Sequence, residues 1–136
     1  MKQLKIETKR GVLLDGVLFA ADGGADTVLI AITGIHGNFY LNPFYYNIGD
    51  TLSASGIDFI YAQTNDALGA IRTMNTHTGR EEIIGSWNER FALVGEDIEA
   101  YSTTPLSKAT ATSSWPVTRW EPTRSSTTSR ATTPLA

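Results

Sequence analysis

Polar and apolar residues alternate along the first stretch of the chain, and that alternation predicts a hairpin. Gln3 to Thr8 (Q-L-K-I-E-T) has period two, Arg10-Gly11 marks a turn, and Val12 to Phe19 (V-L-L-D-G-V-L-F) continues as a second strand. After the Asp22-Gly23-Gly24 loop, Thr27 to Thr33 (T-V-L-I-A-I-T) is an unbroken apolar run. Such a run predicts a strand covered on both faces, as in a parallel sheet. Asn42-Pro43 opens a predicted helix, with Asn42 as N-cap and Pro43 in the first turn, running to about Ala54 and closed by Gly56. Ile57 to Tyr61 (I-D-F-I-Y) is the next predicted strand. Asp66 to Trp87 is polar and turn-rich, with a hairpin excursion expected around Thr78-Gly79. Phe91, Val94, Ile98 and Tyr101 then recur at helical spacing within Glu89 to Tyr101. The order β-β-β-α-β-α predicts an α/β fold, an antiparallel start on a doubly wound parallel sheet.

Composition divides the chain after Tyr101. All 12 glycines lie before that point, and 17 of the 35 residues beyond it are Ser or Thr, against 11 of the 101 before. Four of the five prolines also fall in the tail, and the net charge is −6 in the body and +3 in the tail. Leu106, Val117 and Leu135 are the tail's only aliphatic residues besides alanine, too few to offset the entropy of ordering it. Residues 1–101 are therefore expected to fold and residues 102–136 to remain disordered.

With 136 residues the chain is long enough for one domain. It has no cysteine and only two histidines, which leaves no expected metal site, and no cofactor is called for. A net charge of −3 gives no basic footprint for nucleic acid, and no apolar stretch approaches the roughly 20 residues of a membrane span. Met1 to Arg10 lacks an apolar signal core, so a cytoplasmic location is expected.

The candidate chemistry begins where the apolar strand ends, at Gly34-Ile35-His36-Gly37-Asn38-Phe39. A glycine-flanked loop there can point backbone N–H groups into the crevice at the carboxyl end of a sheet, where they would hold a developing oxyanion. The same dipeptide also fits an ordinary strand-to-helix turn with a solvated His36. Asp66, after the next strand, is either an acid at a pocket rim or a residue that orders its own loop. His77 is expected in an exposed turn, and Trp87, Phe91 and Phe44-Tyr45-Tyr46 in the core or a pocket wall. No Gly-x-Ser-x-Gly occurs and no histidine follows His77, so a serine triad in hydrolase order cannot be assembled.

Three blocks, G-I-H-G-N-F-Y-L-N-P-F-Y-Y-N-I-G-D-T-L (Gly34 to Leu52), I-D-F-I-Y-A-Q-T-N-D-A (Ile57 to Ala67) and I-I-G-S-W-N-E-R-F (Ile83 to Phe91), resemble an uncharacterised family of the α/β-hydrolase superfamily. Fungal siderophore esterases look like distant relatives of that family. The resemblance covers about residues 3–101 and implies the N-terminal part of an α/β-hydrolase fold. It also implies an oxyanion loop at His36, Gly37 and Asn38, with the Asn38 N–H as donor, and a pocket near Phe39, Phe44 and Asp66 for a small ester-type substrate. The family pattern continues with a strand and a Gly-His-Ser-Leu-Gly nucleophile elbow, and this chain departs from it there.

Loss of one nucleotide near the codon for Tyr101 would account for the departure. Trp115 to Thr123 (W-P-V-T-R-W-E-P-T) is encoded by TGG CCN GTN ACN CGN TGG GAR CCN ACN when Arg119 takes a CGN codon. Starting each triplet one nucleotide earlier gives NTG GCC NGT NAC NCG NTG GGA RCC NAC, which permits Leu-Ala-Gly-His-Ser-Leu-Gly-Ala-Asn. The same shift converts TCN serines to aliphatic or Phe codons, and it explains the Ser/Thr-rich tail. The competing reading is a native Ser/Thr/Pro-rich segment on a small, non-enzymatic ligand-binding module. Hydrogen exchange checks the expected disorder: amides from Ser107 to Arg130 should exchange at unprotected rates, and a protected block there would contradict it.

Overall fold

The computed structural model describes residues 1–34, 37 and 42–103. The tail 104–136, and with it the expectation of disorder, lies outside the described residues, as do His36, Asn38 and Phe39. The chain forms an α/β structure with a mixed sheet. Strands β1 (Lys2–Glu7) and β2 (Leu13–Phe19) make the expected antiparallel hairpin, with Lys2 opposite Leu18 and Glu7 opposite Leu13. The Thr8 N–H donates to the Val12 carbonyl at 2.9 Å across the turn, and Gly11 takes a φ of 84° that a side chain would strain.

Strand β3 (Val28–Ile32), helix α1 (Phe44–Ala54) and strand β4 (Asp58–Ala62) form a parallel crossover, with Val28 beside Asp58 and Ile32 beside Ala62. Strand β4 also pairs antiparallel with β2, so the sheet order is β1-β2-β4-β3. A separate antiparallel hairpin, β5 (Ile71–Asn75) and β6 (Arg80–Ile84), stands where the excursion around Thr78-Gly79 is predicted. Two 3-10 turns (Ser86–Asn88 and Phe91–Leu93) lead into helix α2 (Val94–Thr103), which runs two residues past Tyr101.

Because side chains alternate across a strand, β2 and β4 feed two cores. On one face Leu4, Ile6, Leu14, Leu18, Ile60 and Ala62 pack with Ile84 and with Ala100 and Tyr101 of α2. On the other, Val17, Phe19, Phe59 and Tyr61 lie under Tyr45, Tyr46, Ile48 and Leu52 of α1. Each fully buried Leu, Ile or Phe contributes ~1.5–3 kcal/mol relative to exposure.

Four expectations are corrected. The doubly covered strands are β2 and β4: α1 lies over these two, and Val28 and Leu29 of β3 remain 45% and 49% exposed. Asn42 does not cap α1. Pro43 occupies the N-cap position with helical dihedrals and makes no side-chain cap bond, and the Asn42 side chain hydrogen-bonds Tyr61 instead. Helix α2 begins at Val94 and buries Asp97, Ala100 and Tyr101, so Ile98, on the predicted face, points outward. Trp87 and Phe91 are not core: each lies in a short surface turn, 79% and 63% exposed.

Helix α1 approaches the sheet closely through Gly49. A Cβ at that position would stand 2.5 Å from the Phe19 ring, which is itself held by Tyr46 (centroids 5.9 Å apart) and Phe59 (5.8 Å). Alanine favours a helix over glycine by about 1 kcal/mol, but overpacking costs about 1–3. The Gly49→Ala variant should therefore lose about 1–2 kcal/mol, read as a lowered urea midpoint; an unchanged or raised midpoint would mean that Phe19 yields freely.

Candidate functional site at the carboxyl ends of β3 and β4

Chain leaving β3 and chain leaving β4 meet at one end of the sheet. The Thr33 N–H donates to the Ala62 carbonyl at 3.0 Å and continues the parallel ladder by one residue. The Gly37 N–H donates to the Gly34 carbonyl at 2.8 Å, and the Gly37 carbonyl accepts the Leu68 N–H at 3.1 Å. A Cβ on Gly37 would lie 2.9 Å from the Gly34 oxygen, so this compact turn requires glycine. Gly37 is thus pinned between the end of β3 and the loop after β4.

That loop, Gln63 to Ala67, is polar yet almost wholly buried, and its backbone is satisfied by distant elements. The Gly85 N–H donates to the Asn65 carbonyl at 2.7 Å and the Ser86 N–H to the Ala67 carbonyl at 2.7 Å. Asp97 of α2 accepts the Asn65 N–H on Oδ2 and Arg10 Nη2 on Oδ1, both at 2.7 Å. Arg10 also lies 3.3 Å from Glu96 Oε1, and its backbone N–H donates to that carboxylate at 3.0 Å. Burial raises the Asp97 carboxyl above the usual range, more than the Asn65 N–H and the Arg10 guanidinium lower it.

Asp66 holds the loop through Oδ1, which accepts the Arg90 N–H at 2.9 Å and the Asn65 side-chain amide at 3.1 Å. Its Oδ2 and the Thr33 hydroxyl are buried and have no hydrogen-bond partner among the described residues. Phe44 is placed elsewhere: 59% exposed, it lines an open groove on α1 with Asn47, Ile48, Thr51 and Leu52. The structure therefore joins Gly37 to the Asp66 loop and puts Phe44 on a different surface. His77 is exposed in its turn, 3.7 Å from Glu7. Among the described residues no three His, Asp or Glu side chains cluster to hold a metal, and no helix is long and apolar enough to cross a membrane.

Sequence reasoning passes over the residues that support this end of the sheet. Asp97 beside Glu96 has the look of a solvated pair, and nothing local links it to Arg10, 87 positions away. Tyr101 is visible as a helical apolar position, but its hydroxyl is not. That group accepts the Gln63 N–H at 3.3 Å and faces the carbonyls of Asp15 and Gln63. No protein-family model, curated protein or solved structure matches this chain.

Burial pushes the Tyr101 phenol well above its ordinary value, as it does more mildly for Tyr46 and Tyr61. The folded state keeps the Tyr101 proton while the unfolded chain releases it near pH 10, so this contribution is complete below about pH 10 and is lost as pH rises beyond it. Tyr101→Phe should cost about 1–3 kcal/mol at neutral pH and lose less stability than the parent between about pH 10 and 12. Parallel alkaline slopes in urea titrations of the two proteins would overturn the assignment.

Proposed function

We propose that this chain carries the N-terminal half of an α/β-hydrolase-fold serine hydrolase, followed from about Tyr101 by residues read out of frame. The observation that carries the reading is the shifted translation of Trp115 to Thr123, which permits Leu-Ala-Gly-His-Ser-Leu-Gly-Ala-Asn in one frame. A parallel β3-α1-β4 crossover with a glycine turn at its carboxyl end supports it, since open α/β sheets bind ligands at that end.

In the in-frame protein the elbow serine would attack an ester or similar acyl carbon, with a later histidine as its base. The Asn38 N–H, next to the turn that pins Gly37, would help to hold the oxyanion, a role worth roughly 3 kcal/mol of barrier. Nucleophile, acid and catalytic histidine are all missing from the frame of this chain. The purified 136-residue protein should therefore show no ester turnover sensitive to a serine-directed phosphonate, and removing the frameshift should create that activity. Phosphonate-sensitive turnover by the unaltered chain would overturn the reading, and so would codons that yield no Gly-x-Ser-x-Gly in the shifted frame.

One feature favours the rival, a non-enzymatic ligand-binding module. The α1 groove formed by Phe44, Asn47, Ile48, Thr51 and Leu52 is a mostly apolar surface depression of about 300 Å³, open to solvent.

A further inference from the structure

The four-stranded sheet has two edges of opposite character. Edge strand β1 carries Lys2, Lys5 and Glu7, charges that discourage pairing with another chain. Edge strand β3 is V-L-I-A-I, with no charge and no proline. Among the described residues no strand pairs with its outer side. Val28 and Leu29, on opposite faces of the sheet, are both about half exposed, so this edge is apolar above and below.

The ladder fixes which backbone groups face outward. Thr27 accepts the Asp58 N–H and Thr33 donates to Ala62, so the odd-numbered residues of this segment turn their peptide groups toward β4. Val28, Ile30 and Ile32 then present N–H and C=O to the open side. We propose that this edge docks on the β3 of a second copy of the chain, antiparallel about a two-fold axis through Ile30.

In that register Val28 faces Ile32 of the second copy, Ile30 faces its own counterpart, and Ile32 faces Val28. All three outward residues exchange both hydrogen bonds. A shift of two residues leaves only two such pairs. The flanking Asp26 meets Gly34, whereas the register that would set Asp26 against Asp26 is penalised by like charge. The contact is isologous and closes at two copies, producing one continuous eight-stranded sheet. It uses main-chain groups and the apolar edge alone, and so stands apart from the proposed hydrolase ancestry.

Sedimentation of the full 136-residue chain at high micromolar concentration tests this directly. A discrete dimer is expected. Ile30→Lys, which sets two lysines against each other on the axis, should raise the dissociation constant at least about tenfold. Ile30 packs partly against the first core, so Leu29→Lys at an exposed position provides a second variant that spares the fold and should also weaken the dimer. The register has its own readout. Leu29 faces Ala31 of the second copy in a non-hydrogen-bonded pair with Cα atoms about 4.5 Å apart, within disulfide range. The chain has no cysteine of its own. Mixing Leu29→Cys chains with Ala31→Cys chains under oxidation should then give a disulfide-linked pair that neither variant forms efficiently alone. A monomer at all concentrations, open-ended aggregates, a dimer indifferent to both lysines, or equal cross-linking by single variants would each overturn the proposal.

Discussion

A single buried carboxylate ties the structure together. Asp97 has no exposed surface, yet it binds the guanidinium of Arg10 from the β1–β2 turn and the N–H of Asn65 from the loop after β4. Three elements far apart in the chain converge on two oxygens. Removing a carboxylate from water is costly, and burial indeed raises its pKa. The geometry offsets that cost by giving both oxygens a donor at 2.7 Å. Without Asp97 the Asn65 N–H would be an unpaired donor in the interior, and Arg10 would retain only Glu96. The polar loop from Gln63 to Ala67 can be buried because α2 supplies these partners, and Leu68, next in the chain, then reaches Gly37.

The sheet is covered unequally, and glycine decides where the covering layers come close. On one side Gly49 lets α1 rest on the Phe19 ring. On the other, Gly16 in β2 leaves room for Tyr101, whose ring would stand 3.0 Å from a Cβ there. Both approaches centre on β2 and β4, the strands buried on both faces. β3 lies beyond them, with Ile30 and Ile32 touching the first core and Leu29 half exposed on the other side.

What the sequence made legible was local. The period-two alternation of Leu4, Ile6, Leu14 and Leu18 located the first hairpin. Gly56 marked the end of α1, and Thr78-Gly79 the turn between β5 and β6. What it left illegible was the order of neighbours. An apolar run such as V-L-I-A-I signals that a strand avoids water but carries no information on which helix lies above it, so a half-exposed strand reads as one covered on both faces. The face of α2 was misjudged for a related reason: hydrophobic periodicity assigns a carboxylate to solvent, and Asp97 is the residue that α2 buries most deeply. At the candidate site, turn chemistry and position after a strand single out Gly37 and Asp66, and the structure brings their two loops together through the Gly37–Leu68 bond. Thr33 was missed because it looked like the last member of an apolar run.

The Tyr101 hydroxyl meets the Asp15 carbonyl across 86 residues of chain, and this has a consequence during synthesis. At ribosomal speeds of ~5–20 residues per second, β2 emerges roughly 4–17 s before the helix that covers it. For that interval Leu4, Ile6 and Leu14 lie on a face that α2 has not yet covered, and until β4 follows the hairpin has only its own ladder and turn to hold it. A two-stranded hairpin alone is marginal in water, so the first part of the chain to be made waits for β4 to gain a third strand and for α2 to cover its apolar face. Delays in translation between Phe19 and Val94 would lengthen that wait and increase the time the apolar face is available to chaperones or to neighbouring nascent chains.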